Sequence, residues 1–298
     1  MEVASLNLGA RAYDKVINFP QSHSFSRLVA ARQQKVGFGK VYYHGSTIFC
    51  RRSWILKALR CKCNFYEDVN STEGEFNSVN IVRRKKLAVF VSGGGSNFRS
   101  IHDSSVNGLI HGDVVVLVTD KPGCGGDEYA RNHDIPVLLF PKLKSSVEGL
   151  SPTELVITLR KFKVDFILLA GYLKLIPMDL VQAYPRSILN IHPSLLPAFG
   201  GKGFYGLKVH EAVIASGARY SGPTVHFVDE HFDTGKILAQ KTVPVYTNDT
   251  PEQLACRVLH QEHQVYVEVV SALCEERIVW REDGVPLIRS RENPNEYT

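Results

Sequence analysis

Five short apolar runs alternate with helical patterns between residues 86 and 191, and that alternation limits the possible folds more than any other feature of the chain. The runs are 86–91 (KLAVFV), 114–118 (VVVLV), 137–140 (VLLF), 165–170 (DFILLA) and 188–191 (ILNI). They are continuously apolar instead of alternating, which suits strands buried on both faces. Helical segments are expected at 97–107, 127–134, 153–162 and 178–184, with Pro152 and Pro177 just ahead of two of them, where a helix start tolerates proline. Strand–helix alternation of this kind predicts an α/β fold, a mostly parallel sheet with helices on both faces. After a further helix at 207–216 the pattern changes. Residues 224–228 and 236–245 read as strands joined by an acidic loop, 229–235, followed by a long amphipathic helix at 251–275 and a hairpin around Asp283-Gly284.

Charge divides the chain in two. The whole sequence holds 35 Lys/Arg and 30 Asp/Glu. Residues 1–66 hold eleven of the bases and two of the acids, leaving 24 bases against 28 acids in residues 67–298, a net of −4. The basic balance belongs to the N-terminal segment, so the main body has no electrostatic footprint for nucleic acid. Residues 1–66 are rich in Arg, Lys and hydroxyl side chains and lack steady periodicity, as expected of a disordered organellar transit peptide. A secretory signal is disfavoured, because no compact apolar stretch follows Met1. A basic tail or an RNA-binding arm is the alternative. A chloroplast address is favoured over a mitochondrial one. Residues 67–84 read as a polar linker and 85–298 as the catalytic domain. Six cysteines form no CxxC pair, and Cys61-Lys62-Cys63 is too tight for zinc, so free thiols in a reducing compartment are expected. No run reaches the roughly 18 apolar residues of a membrane-spanning helix.

Ser92-Gly93-Gly94-Gly95-Ser96-Asn97 lies between the first strand and the first helix. Glycines let backbone amides approach an anion, and a helix N-terminus adds partial positive charge. The dinucleotide fingerprint fails, because Phe98 stands where its third glycine would let helix and strand pack, and the Walker lysine is absent. The loop therefore predicts a monophosphate site, with a ligand-free glycine turn as the plain alternative. Asn190-Ile191-His192-Pro193-Ser194-Leu195-Leu196-Pro197 follows the fifth run. On a strand Asn190 and His192 share a face, which opens on the ligand crevice at the C-terminal end of a parallel sheet. There an amide donor and an imidazole can act together on a carbonyl, Asn190 on the oxyanion and His192 on the proton. Alone, the pair is better read as a hydrogen-bonded core histidine and a turn-forming asparagine.

These motifs, together with Leu169-Ala170-Gly171-Tyr172 and the stretch 224–233 (TVHFVDEHFD), occur in the order and spacing of glycinamide ribonucleotide formyltransferases, which the chain resembles over residues 86–286. The resemblance implies a formyltransferase fold with a Rossmann-like N-terminal half. It also implies transfer of a formyl group from 10-formyltetrahydrofolate to the amine of 5'-phosphoribosylglycinamide in purine synthesis, without a metal. In that reading Asn190 stabilises the oxyanion, His192 carries the proton, and Asp233 raises the histidine's pKa. Gly95, Ser96, Asn97 and Glu262 bind the ribonucleotide. Leu173, Lys174, Leu175, Ile176, Asn190 and Asp229 bind the folate. His226 fits equally as a structural partner of Asp233. The loop 200–206 is longer and richer in glycine than its bacterial counterparts, and the residue supplying its substrate contacts stays open, His210 included. The family's arginine for the folate tail has no match, with Lys142 and Lys144 in its region.

The alternative is a 10-formyltetrahydrofolate hydrolase, which would carry a regulatory domain where this chain has residues 1–84. A methionyl-tRNA formyltransferase would need more than the 17 residues after Arg281 for its tRNA-binding domain. A nucleotide-binding module without catalysis would have no use for Asn190, His192 and Asp233 together. Small-molecule substrates are the expected partners, with neither nucleic acid nor membrane, and the oligomeric state cannot be read.

Overall fold

The apolar runs become strands because each residue finds a packing partner on one side of a sheet or the other. In the computed structural model, which describes residues 83–142 and 149–298, β1 (Lys85–Val91) sends Leu87, Val89 and Val91 to one face and Ala88 and Phe90 to the other. All five side chains are fully buried. The expected transit peptide, all but the last two residues of the linker, and Lys144 lie outside the described residues. The elements that follow are α1 (Ser96–Val106), β2 (Gly112–Thr119), α2 (Gly125–Asn132), β3 (Val137–Leu139), α3 (Pro152–Lys161) and β4 (Phe166–Leu169). Next come α4 (Met178–Ala183), β5 (Ile188–His192), α5 (Leu207–Ser216), β6 (Tyr220–Ser221), β7 (Thr224–Phe227) and β8 (Ile237–Gln240). The last are β9 (Val243–Pro244), α6 (Pro251–Cys274), β10 (Ile278–Trp280) and β11 (Pro286–Ile288).

Seven strands form one sheet in the order β3-β2-β1-β4-β5-β7-β8. The first five are parallel, and β7 and β8 extend the sheet antiparallel beyond β5. The order reverses between β1 and β4, so the chain leaves these two strands in opposite directions and a crevice opens at their C-terminal ends. One face is covered by α1 and α6 through Phe98, Ile101, Val265, Tyr266 and Val269. The other is covered by α3 and α4 through Leu155, Leu159 and Leu180. Two helices begin with a full capping box behind a first-turn proline, Ser151 with Glu154 on α3 and Thr250 with Gln253 on α6. Tyr266, fully buried on α6, directs its hydroxyl at the carbonyls of Leu169 (3.1 Å) and Leu189 (3.2 Å), tying α6 to the ends of β4 and β5.

Two sequence expectations change. The strand read at 236–245 is two strands, because the chain breaks at Lys241-Thr242, and β9 pairs with β6, an element that apolar patterning did not signal. Gly222 explains the break: a Cβ there would lie 1.8 Å from the Lys241 carbonyl oxygen, so only glycine lets the two backbones pass. Phe98 does not prevent helix–strand packing either. It is fully buried, edge-on to Tyr129 at 5.3 Å, and the close approach is made by α2 instead. A Cβ on Gly126 would meet Val91 at 2.8 Å, and one on Gly95 would meet Gly126 at 2.9 Å.

Candidate active site

β5 emerges beside the crevice, and its pleat turns Asn190 and His192 the same way while Leu189 and Ile191 pack into the core beneath. Antiparallel pairing sets Asn190 directly opposite His226 and His192 opposite Thr224. Cross-strand partners in such a pair are close enough to bond, and the Asn190 amide nitrogen lies 3.0 Å from His226 Nε2. The other ring nitrogen of His226 lies 2.8 Å from the Phe227 carbonyl, which can only accept. That bond fixes the proton on Nδ1, leaves Nε2 as the acceptor, and so sets which way the Asn190 amide points. The amide's second hydrogen faces Asp233 Oδ1 at 3.3 Å, the long end of the hydrogen-bond range.

Asp233 arrives on the loop after β7. Asp229 builds that loop by accepting from the His231 amide (3.0 Å) and the Thr234 hydroxyl (2.7 Å). Asp233 itself is left-handed, with φ of 58°, a conformation aspartate tolerates better than most residues. Its Oδ2 accepts from the Gly201 amide (2.8 Å) and faces His192 Nδ1 at 3.5 Å. Gly200 permits this approach, since a Cβ there would fall 2.4 Å from Leu196 and 3.2 Å from Asp233. His192 donates from Nε2 to the Phe199 carbonyl at 2.9 Å, so Nδ1 is the nitrogen left to exchange a proton.

Burial and charge compete over His192. Burial pushes its pKa down, Asp233 and the Phe199 carbonyl push it up, and the net shift is downward. The expectation that Asp233 raises this pKa therefore holds for the carboxylate's own effect and not for the sum. Burial also pushes Asp233 upward, but His226, whose Nε2 lies 3.5 Å away and donates when its ring is charged, His192 and the Gly201 amide outweigh it and leave the carboxyl below its usual range.

Asn190, His192, His226 and Asp233 share the wall of a cavity of about 710 Å³ with Asn97, Glu262, Leu173, Lys174, Leu175 and Ile176. Asn97, at the start of α1, donates to Glu262 on α6 at 2.7 Å. Burial pushes the Glu262 carboxyl up, against the opposing bond from Asn97. Gly95 and Ser96 are not on the cavity wall; they form the N-terminus of α1, where Gly95 is the left-handed cap and no side chain bonds the free amides. The segment 173–176 is pinned after β4 by the Leu173 amide on the Ser92 hydroxyl (3.0 Å). Asp229 does not line the cavity and acts on it only through the loop it shapes. Lys142 is exposed and away from it.

The cavity also shows residues that sequence reasoning had not assigned. Lys202 lines it from the 200–206 loop, and Leu259 and Cys256 from α6. Lys174, expected among the folate contacts, lies 3.8 Å from the buried Asp120, and it and Lys202 are the lysines on the wall, which Lys142 does not reach. Leu259 and Glu262 are three residues apart on one helix, a spacing that places them on one face and was available from the sequence once Glu262 was suspected. The apolar wall (Leu173, Leu175, Phe204, Val228) suits a flat aromatic ring, and the two lysines suit carboxylates.

The family model described as formyl transferase matches residues 85–270. Two relatives are named phosphoribosylglycinamide formyltransferase, chloroplastic. The one from Vigna unguiculata is 62% identical over 94% of this chain and 91% of its own. The one from Arabidopsis thaliana is 70% identical over 72% of this chain and 74% of its own. Among solved structures, a glycinamide ribonucleotide transformylase from Symbiobacterium toebii is 35% identical, with a TM-score of 0.60 over 67% of this chain and 92% of that one.

Proposed function

The chain belongs to the formyl transferase family, and from that premise we propose that it moves the formyl group of 10-formyltetrahydrofolate onto the amine of phosphoribosylglycinamide in purine biosynthesis. The observation that carries the reading is the convergence of Asn190, His192 and Asp233 on one cavity wall that also holds the Asn97–Glu262 pair. As the amine nitrogen bonds to the formyl carbon, the carbonyl electron pair moves onto oxygen. Asn190 turns an N–H toward that oxygen, giving up its longer contact to Asp233. The amine must lose a proton, and the folate nitrogen must gain one as its bond to the formyl carbon breaks. His192 takes and returns that proton at Nδ1, and Asp233 balances the imidazolium formed in between. The free amides at the N-terminus of α1, with Gly95 and Ser96, hold the phosphate. Asn97 and Glu262 hold the sugar side. Leu173, Lys174, Leu175 and Ile176 hold the folate, with Asp229 shaping the facing loop.

Residues 1–66 serve as a transit peptide and 67–84 as a linker, directing the enzyme to the plastid, in keeping with the chloroplastic names of its relatives. The experiment that tests the activity supplies 10-formyltetrahydrofolate with and without phosphoribosylglycinamide. Tetrahydrofolate should appear in a one-to-one ratio with formylated ribonucleotide, and none should form without the acceptor. Folate turnover with formate release in the acceptor's absence would favour the hydrolase and refute the transfer.

A further inference from the structure

His210 differs from the other buried histidines around the cavity. His226 has both ring nitrogens engaged by protein atoms, and His192 has Nε2 on the Phe199 carbonyl and Nδ1 facing Asp233 at 3.5 Å. His210 is 4% exposed and lines the same cavity, and its Nδ1 has no hydrogen-bond partner among the described residues. Its position follows from packing, because the neighbouring Val209 and Val213 anchor α5 against Leu254 and Val258 of α6. Burial, joined by the charge of His192, holds the ring down to about 4, so it is a neutral imidazole with one donor and one acceptor across the physiological range. A buried polar nitrogen without a partner is costly, and native structures rarely keep one that nothing ever satisfies. With the protein side of the ring offering no partner, the contents of the cavity are what can supply one. Rotation about χ2, which is broad for histidine, presents either nitrogen to them.

His192 and His210 line the same cavity. A ligand group that meets His210 therefore sits in the cavity where His192 and Asn190 act on the formyl group in the proposed reading. In the acceptor of the proposed reaction, the group next to the reacting amine is the amide of the glycinamide arm, whose N–H and carbonyl complement a neutral imidazole. We propose that His210 hydrogen-bonds this amide and so selects the glycinamide acceptor, a specificity-determining contact that rests on the formyl-transfer reading above.

The test uses the full chain and two ligands, phosphoribosylglycinamide and ribose 5-phosphate, which lacks the arm. Calorimetric titration of His210→Phe should show binding of the ribonucleotide weakened about tenfold or more, as for a lost buried hydrogen bond, with ribose 5-phosphate binding unchanged. His210→Asn, which keeps a polar group near Nδ1, should recover part of the loss. In turnover, KM for the ribonucleotide should rise while KM for the folate stays the same. Equal weakening of both ligands, no weakening of either, or an asparagine variant no better than phenylalanine would overturn the proposal. Should His210→Phe fail to fold, His210→Ala against His210→Asn decides by the same two-ligand comparison. A wild-type chain that does not formylate the ribonucleotide would instead refute the parent reading.

Discussion

Asp233 and the apolar surroundings of His192 set the proton chemistry against each other, and the balance has a checkable sign. Burial lowers the histidine's pKa and the carboxylate 3.5 Å away raises it. Asp233→Asn removes the raising charge and keeps the burial, so His192 should titrate lower still, and less imidazolium forms at a given pH. The carboxyl that is removed lies below its usual range, so it is ionised in the wild type well under neutral pH and the change should register throughout the working range. Ring-nitrogen NMR should place the wild-type His192 titration below its ordinary value of 6.5 and the variant's lower again. Turnover should fall by about 10²–10⁴-fold, the usual contribution of a positioned proton carrier. An upward shift in the variant would show that something other than this carboxylate stabilises the imidazolium. His226 acts at the same scale without touching the reaction: by accepting from Asn190 it decides which atom of the amide faces Asp233.

At the scale of elements, the five parallel strands were legible as short apolar runs, because burial on both faces favours apolar residues at successive positions, and the helices between them by their period. Elements of two residues carry no period, which is why β6 was missed and β9 was read as one strand with β8. The registry that sets Asn190 opposite His226 could not be read either. It depends on how the long excursion through α5 returns to the sheet, which local patterning does not encode. The glycines were half legible. Those at 93–95 read as a phosphate loop, yet Gly95 has a packing duty as well, and the partner glycine that shares it, Gly126, stands in a second glycine-rich turn whose spacing matches no ligand motif. Glu262 illustrates the reverse. Only the resemblance marked it for binding, and the structure brings it to Asn97 across 165 residues of sequence. Lys202 reaches the cavity wall and Lys142 does not, because position along the chain is a poor guide to which lysine a loop brings to a cavity.

Across the whole molecule, the proposed reading assigns binding and chemistry to different layers. The ribonucleotide is read as held by the N-terminus of α1 and by α6, while the trio that handles charge sits on β5 and the loop after β7. The basic first 66 residues take no part in either in the proposed reading. Fused to a fluorescent protein, they should carry it into plastids, and a chain lacking them should stay outside; import of the truncated chain would contradict the transit-peptide assignment. The division between binding and chemistry is tested most directly by His192→Ala, assayed for turnover and, separately, for ribonucleotide affinity. The account predicts turnover lowered by about 10²–10⁴-fold with ribonucleotide affinity unchanged. Turnover near that of the wild type, or a loss of ribonucleotide binding that accompanies the loss of rate, would contradict it.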